Sequence, residues 1–354
     1  MIEQAHGNLL RADVDALVNT VNTVGVMGKG IALQFKRAFP TMCRDYAQAA
    51  KRQELALGTR HVWSTGQLSG PRFVINFPTK GHWKAGSHLA DIERGLDDLV
   101  SVIRREGIQS IAVPPLGCGN GGLDWAVVEP LIRAKFACLE DVEVLLYSPN
   151  GAPEAAMMPT GELRPAMTPG RAAFIQLLAE YSRHALGDAS FVEAQKLAYF
   201  LQLAGEPLRL DFVGHHYGPY ADALRHVLAT IEGHFVSGFG DGSASVQEAE
   251  PLRLLPGAEQ EAAHALAHRP ETATHLSRVL ELIEGFETPY GLELLATVHW
   301  VAQRQADGDG DALVAAVRAW IPARAACSRP STSPWPSTRC GARDGPLPLR
   351  ALTR

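Results

Sequence analysis

Two glycine-rich loops in the first third of the chain constrain its fold more than any other feature: Val24-Gly25-Val26-Met27-Gly28-Lys29-Gly30-Ile31-Ala32 and Gly117-Cys118-Gly119-Asn120-Gly121-Gly122-Leu123-Asp124-Trp125. Each follows an apolar, strand-like run and opens a helix-like one, which puts it at a strand-to-helix turn. Glycine lets backbone N–H groups close on an anion, and a helix N-terminus adds unpaired donors and a partial positive charge. Two such loops suit a diphosphate. Neither ends in Gly-Lys-Ser/Thr and neither has G-x-G-x-x-G spacing, so an ordinary ATPase or dehydrogenase is disfavoured.

Around these loops, strand-like runs at 16–19, 62–64, 73–77, 110–113 and 142–147, with an edge strand near 2–5, alternate with helix-like runs near 29–38, 41–52, 88–106 and 124–138. Alternation of this kind predicts a three-layer α/β/α sandwich over residues 1–150. Residues 149–170 then hold five prolines and three glycines, a composition that discourages helix and central strand and predicts a linker over 151–170. Beyond it, helical spacing over 171–184, 191–203, 220–232, 259–268, 271–286, 290–304 and 311–320 predicts a second, mostly helical domain spanning 171–323. From Arg324 to the end, five prolines, four serines and six arginines meet a single acidic residue, Asp344. That tail, 324–354, is expected to be disordered; a shift in reading frame would give the same abrupt change.

At 354 residues, with 46% hydrophobic and 20% charged content, two globular domains are expected. The amino terminus lacks a signal-peptide pattern and no run approaches the roughly 18 apolar residues a membrane span needs, so a cytoplasmic protein without membrane contact is expected. Five cysteines without a C-x-x-C pair suggest neither a disulfide framework nor a zinc cage. His264 and His268 have i, i+4 spacing but no H-E-x-x-H context. No metal and no cofactor is expected. The net charge of −5 argues against a broad electrostatic grip on nucleic acid but leaves room for one modified nucleotide in a pocket.

Further motifs accompany the loops: Gly7-Asn8-Leu9-Leu10, Asp15-Ala16-Leu17-Val18-Asn19-Thr20-Val21-Asn22, and Asn76-Phe77-Pro78-Thr79-Lys80-Gly81-His82-Trp83-Lys84. Together these residues resemble a macrodomain, and within that fold the DarG family of antitoxin macrodomains, which reverse DNA ADP-ribosylation by a partner toxin of the DarT type. The resemblance implies an ADP-ribose ligand. It places Asn8 and Leu9 at the adenine, where many macrodomains carry an aspartate, and Tyr147 against the adenine ring. Gly28, Lys29, Gly30 and Ile31 would approach one side of the diphosphate, and Gly117, Cys118, Gly119, Asn120, Gly121, Gly122 and Leu123 the other. Asn22 would meet the distal ribose and orient its hydroxyls, and is implied as catalytic together with Lys80; Asn19 and Thr79 are further implied ADP-ribose contacts.

Lys80 is the implied catalytic residue. As a neutral amine it could attack the anomeric carbon and form a Schiff base; as an ammonium it could stabilise charge in an oxocarbenium-like transition state. The related terminal ADP-ribose protein glycohydrolase pairs its lysine with an aspartate in the second loop, whereas Gly119-Asn120-Gly121-Gly122 offers no carboxylate and Asp124 reads as a helix cap. Trp83 is placed either to stack on the modified base or to pack; His82 and Cys118 read as non-catalytic.

In the second domain, the stretch from Phe191 to Gln202 and His215-His216-Tyr217-Gly218-Pro219-Tyr220 resemble the helical region of the same antitoxins, which implies direct binding of the toxin. The expected function is therefore removal of ADP-ribose from a DNA base in single-stranded DNA, thymidine being implied by the resemblance, together with toxin binding. A non-catalytic ADP-ribose reader, and a hydrolase of ADP-ribosylated protein or O-acetyl-ADP-ribose, are the alternatives.

Overall fold

The structure is a computed structural model that describes residues 1–67, 69–185, 187–244, 248–304 and 313–317. The expected tail, Cys327 and Cys340 lie outside the described residues, as does half of the helix expected over 311–320. The chain divides into two compact units. The first comprises Met1–Arg164 with Gly240–Ala244, and the second Pro165–Phe239 with Ser245–Arg354.

The first unit follows the predicted alternation: β1 (Ile2–Ala5), β2 (Ala16–Asn22), α1 (Ile31–Ala38), α2 (Pro40–Lys51), β3 (His61–Ser64), β4 (Phe73–Lys80), α3 (Leu89–Glu106), β5 (Ser110–Val113), α4 (Trp125–Phe136) and β6 (Glu143–Tyr147). The six strands form one sheet in the order β1-β6-β5-β2-β4-β3. All neighbours are parallel except the antiparallel edge pair β3 and β4.

Strand periodicity sorts the two faces. Ala16, Val18, Ile75, Phe77, Ile111, Val113, Val144 and Leu146 pack beneath α3 and α4. Leu17, Val21, Val74, Ala112 and Tyr147 pack beneath α1 and α2, against Phe35, Met42 and Tyr46. Three layers result, as expected.

Strands β2 and β4 run three residues further than their apolar cores predict. Asn22, Thr79 and Lys80 lie beyond the predicted strand ends, yet β2 and β4 pair through them, with a bulge between Val21 and Asn22 that sets Asn22 opposite Lys80. The compact unit also continues beyond residue 150. Asn8 and Arg11 both donate to Met157 O, and Gly161 N donates to Arg37 O at 2.7 Å. Proline limits regular structure in this segment to one 3-10 turn, Ala155–Met157, but does not prevent its docking on the sandwich.

The second unit is mostly helical: α5 (Pro169–His184), α6 (Phe191–Leu203), the hairpin β7 (Val213–His215) and β8 (Gly218–Tyr220), α7 (Asp222–Ile231), the short pair β9 (Val236–Ser237) and β10 (Arg253–Leu254), α8 (Ala258–Leu266), α9 (Pro270–Ile283) and α10 (Pro289–Ala302). Ser190 and Glu193 form a capping box at the start of α6, and the Tyr181 hydroxyl donates to Glu193 Oε1 at 2.6 Å.

Helix α6 is buried nearly all round, so its polar residues serve the neighbouring backbone. Gln195 exchanges hydrogen bonds with Ala221 N and O, and Lys196 donates to Pro219 O at 2.7 Å. Burial pushes the Lys196 amine down to about 7. Between that value and the ordinary lysine range the unfolded chain holds a proton that the folded chain lacks, so this residue's contribution to stability rises with pH. Relative to Lys196→Met, the native second unit is expected to gain about 2 kcal/mol between pH 7 and pH 9. Urea melts at the two pH values measure this, and parallel behaviour would show that the amine stays charged when folded.

Candidate ADP-ribose site

The carboxyl ends of parallel strands β2, β4, β5 and β6 meet at one rim of the sheet, where open α/β sheets bind ligands. Both glycine loops rise from this rim, residues 23–30 after β2 and residues 117–124 on the way to α4.

Asn22 organises the first loop. Its Nδ2 donates to Val26 O at 2.6 Å, and its Oδ1 accepts from Val24 N and Val26 N. The Tyr46 hydroxyl, deep beneath the sheet, donates to Asn22 O in a short hydrogen bond. Burial raises that phenol well above its ordinary range, so Tyr46 remains a donor. The loop thus leaves the Gly28, Lys29 and Ile31 amides without an acceptor among the described residues, as an anion site requires. Gly30 N, at the start of α1, instead donates to Asp241 O at 3.1 Å. The Asp241 carboxylate accepts from Gln34 at 2.6 Å.

The second loop is folded against Ser87. Ser87 N donates to Gly121 O at 2.9 Å, and Leu123 N donates to Gly117 O at 3.0 Å. A Cβ on Gly121 would lie 2.3 Å from both Gly117 O and Ser87 Oγ, so glycine is required there. The Gly119, Asn120 and Gly121 amides have no acceptor among the described residues. Asp124 caps α4 by accepting from Ala126 N. Burial pushes the Cys118 thiol up to about 11, which keeps it protonated and unreactive.

Lys80 joins the two sides. It is the register partner of Asn22, its carbonyl accepts from Thr23 N at 3.2 Å, and its Nζ donates to Asn120 O at 2.7 Å. Burial lowers its pKa. The two loops also approach each other directly, because a Cβ on Gly30 would lie 3.3 Å from Asn120 Nδ2. Asn22, Lys80 and Asn120 therefore share one mouth, flanked on each side by amides without acceptors.

Other expected contacts lie differently. Asn19 is fully buried and donates to Asn76 Oδ1 at 2.9 Å; Asn76 in turn meets His61 Nδ1, whose Nε2 lies 3.2 Å from Asp45. Thr79 is buried, with its hydroxyl donating to Val21 O. Leu9 is buried in the core beneath α1 and α2, and Tyr147 belongs to the same cluster. Asn8 spends its Oδ1 on Leu10 N and its Nδ2 on Met157 O. Tyr46, Ser87 and Asp241 escape the sequence reading. Tyr46 alone carries a local signal, because Met42, Tyr46 and Ala49 mark the buried stripe of α2.

No group of three His, Cys, Asp or Glu side chains able to hold a metal occurs among the described residues, and no helix among them is long and apolar enough to cross a membrane.

A Macro domain family model matches residues 18–132. The solved macrodomain of Mycobacterium tuberculosis DarG is 58% identical and covers 42% of this chain and 99% of its own, with a TM-score of 0.42. A DNA ADP-ribosyl transferase-DNA ADP-ribosyl glycohydrolase fusion protein of Thermosipho africanus is 37% identical over 158 residues, 40% of each chain. A DNA ADP-ribosyl glycohydrolase of Thermus aquaticus is 48% identical over 326 residues, which make up 92% of this chain and 89% of that protein. That identity runs through both compact units and not the macrodomain alone, and by it this chain belongs to the DarG family of DNA ADP-ribosyl glycohydrolases.

Proposed function

We propose that the first unit hydrolyses the N-glycosidic bond joining ADP-ribose to a DNA base, thymidine in single-stranded DNA, and that the helical unit binds a DarT-type toxin. The observation that carries the catalytic reading is the position of Lys80: a partly desolvated amine at a strand end, paired with Asn22 and reaching Asn120 between two loops of open amides. In this reading the loops hold the diphosphate, and the anomeric carbon of the distal ribose lies at the Lys80 amine. Asn22 and Asn120 act as positioning residues. Asn19 and Thr79 support the strand ends from inside the sheet, while Leu9 and Tyr147 back the adenine end. Water replaces the base at the anomeric carbon, and the base leaves with a proton.

Toxin binding is supported by family membership and by the relative whose name joins a transferase to a glycohydrolase. It assigns no chemistry to the second unit.

The test offers the purified chain three substrates: an oligonucleotide bearing ADP-ribosyl thymidine, an ADP-ribosylated protein and O-acetyl-ADP-ribose. Free ADP-ribose is followed by chromatography. Release from the oligonucleotide at least tenfold faster than from the other two is expected. Equal rates would move the function to a general ADP-ribosyl hydrolase, and tight ADP-ribose binding without release would leave a reader.

A further inference from the structure

The turn after β4 carries a feature that ADP-ribose binding does not use. Residues 80–88, Lys-Gly-His-Trp-Lys-Ala-Gly-Ser-His, contain two lysines, two histidines and no carboxylate, in a chain whose net charge is −5. The strip is fixed at both ends to the rim of the site. Thr23, in the first glycine loop, donates through its hydroxyl to Gly81 O at 2.8 Å; Ser87 N donates to Gly121 O in the second. Between the anchors, Ala85 N donates to His82 O at 2.9 Å and Lys84 N to His82 Nδ1 at 3.2 Å, so the turn is shaped by its own hydrogen bonds.

At its apex Trp83 is 50% exposed. The His82 ring lies 5.1 Å away and the Lys84 ammonium 4.8 Å from the indole centroid. A large aromatic held in water between an imidazole and an ammonium packs no core, and it stands three residues from Lys80.

We propose that residues 80–88 form a docking strip for the single-stranded DNA flanking the modified nucleotide, with the Trp83 indole stacking on a neighbouring base and Lys84 moving from the ring to a phosphate. This deepens the DNA glycohydrolase reading and rests on it. The geometry follows from the anchors: the strip spans both loops that hold the diphosphate, so a base leaving the anomeric carbon at Lys80 emerges beside it. The chemistry follows from composition. Aromatic faces accept any base and cations accept the backbone, whereas an acidic strip would repel DNA. A lysine on a flexible stem yields the ring to a base at small cost.

The experiment compares the native chain with Trp83→Ala, Trp83→Phe and Lys84→Glu on two substrates: an oligonucleotide bearing one ADP-ribosyl thymidine, and the ADP-ribosylated thymidine mononucleotide, which has no flanking bases. Base–aromatic stacking predicts that Trp83→Ala raises KM for the oligonucleotide about tenfold at unchanged kcat. KM for the mononucleotide and Kd for free ADP-ribose should stay within twofold. Trp83→Phe should recover most of the loss, and Lys84→Glu should raise the oligonucleotide KM and flatten its salt dependence. Equal effects of Trp83→Ala on both substrates, or on neither, would overturn the proposal, as would the same dependence on an ADP-ribosylated peptide. Anisotropy with unmodified single-stranded DNA keeps this test separate from that of catalysis. If the native chain binds the strand and Trp83→Ala does not, the strip stands even where no ADP-ribose is released; equal binding by both would reject it whatever the activity.

Discussion

Lys80→Ala is expected to lower the rate of ADP-ribose release about a thousandfold or more while ADP-ribose itself still binds within a few-fold of the native affinity. The asymmetry follows from where the side chain sits. In the proposed reading the two glycine loops supply the diphosphate donors, and the shape of those loops depends on Asn22 and Ser87. Lys80 contributes its amine, held by Asn120 O, at the one point of the mouth where the glycosidic bond would break. A thousandfold loss corresponds to about 4 kcal/mol of transition-state stabilisation, a magnitude within reach of a lost nucleophile or a lost preorganised charge.

Lys80→Arg separates those two roles. The guanidinium keeps the positive charge and cannot form a Schiff base. Burial moves the Lys80 pKa downward, and that favours the amine. In the nucleophilic route, attack by the amine would displace the base from the anomeric carbon, the sugar ring would open to an imine with Nζ, and water would return the free amine and ADP-ribose. Lys80→Arg is accordingly expected to be as inactive as Lys80→Ala, and borohydride to trap an ADP-ribosyl adduct on the native chain alone. The rate should rise with pH as the amine loses its proton and level off above its pKa. Residual activity in Lys80→Arg, together with a rate that falls as pH rises, would assign the ammonium an electrostatic role instead.

How much of this was legible beforehand depended on the sequence distance between the partners. The glycine loops were readable because glycine, an apolar run before it and a helical period after it are all local. The three layers and most helix positions were readable for the same reason. Strand ends were not: β2 and β4 continue through Asn22 and Lys80 past the apolar runs, Thr79 lies inside the sheet bonded to Val21 and Asn19 to Asn76, and no local pattern distinguishes a polar residue that ends a buried parallel strand from one in the turn after it. Asn22 reads as a loop former from its residue type and is one, besides ending a strand. Asp241 escaped because more than two hundred residues separate it from Gln34. Ser87 escaped because its loop partners lie some thirty residues away and serine in a turn has no distinguishing mark. Residues 151–164 read as a linker because proline and glycine report what a segment cannot form, not where it docks.

Gly121→Ala should collapse ADP-ribose binding, and it tests the second loop independently of Lys80. The added methyl group would lie 2.3 Å from Gly117 O and from Ser87 Oγ, distances that no real Cβ keeps, and neither neighbour can easily give. Gly117 has φ +73 and is itself pressed against Leu123 and Ser87; Ser87 is tied to Gly121 O through its own amide. Relief therefore requires the loop to move as a body, carrying with it the Gly119 and Asn120 amides and the carbonyl that holds Lys80. Overpacking of this kind costs about 1–3 kcal/mol, so ADP-ribose affinity is expected to fall roughly ten- to a hundredfold by calorimetry, with turnover falling alongside because Lys80 loses its anchor. Gly119→Ala supplies the contrast: its Cβ would meet nothing within 4 Å, so the first unit should keep its thermal stability there and lose it at Gly121. Should Gly121→Ala bind ADP-ribose with native affinity, the loop would be plastic, and the diphosphate would have to be held by the first loop alone.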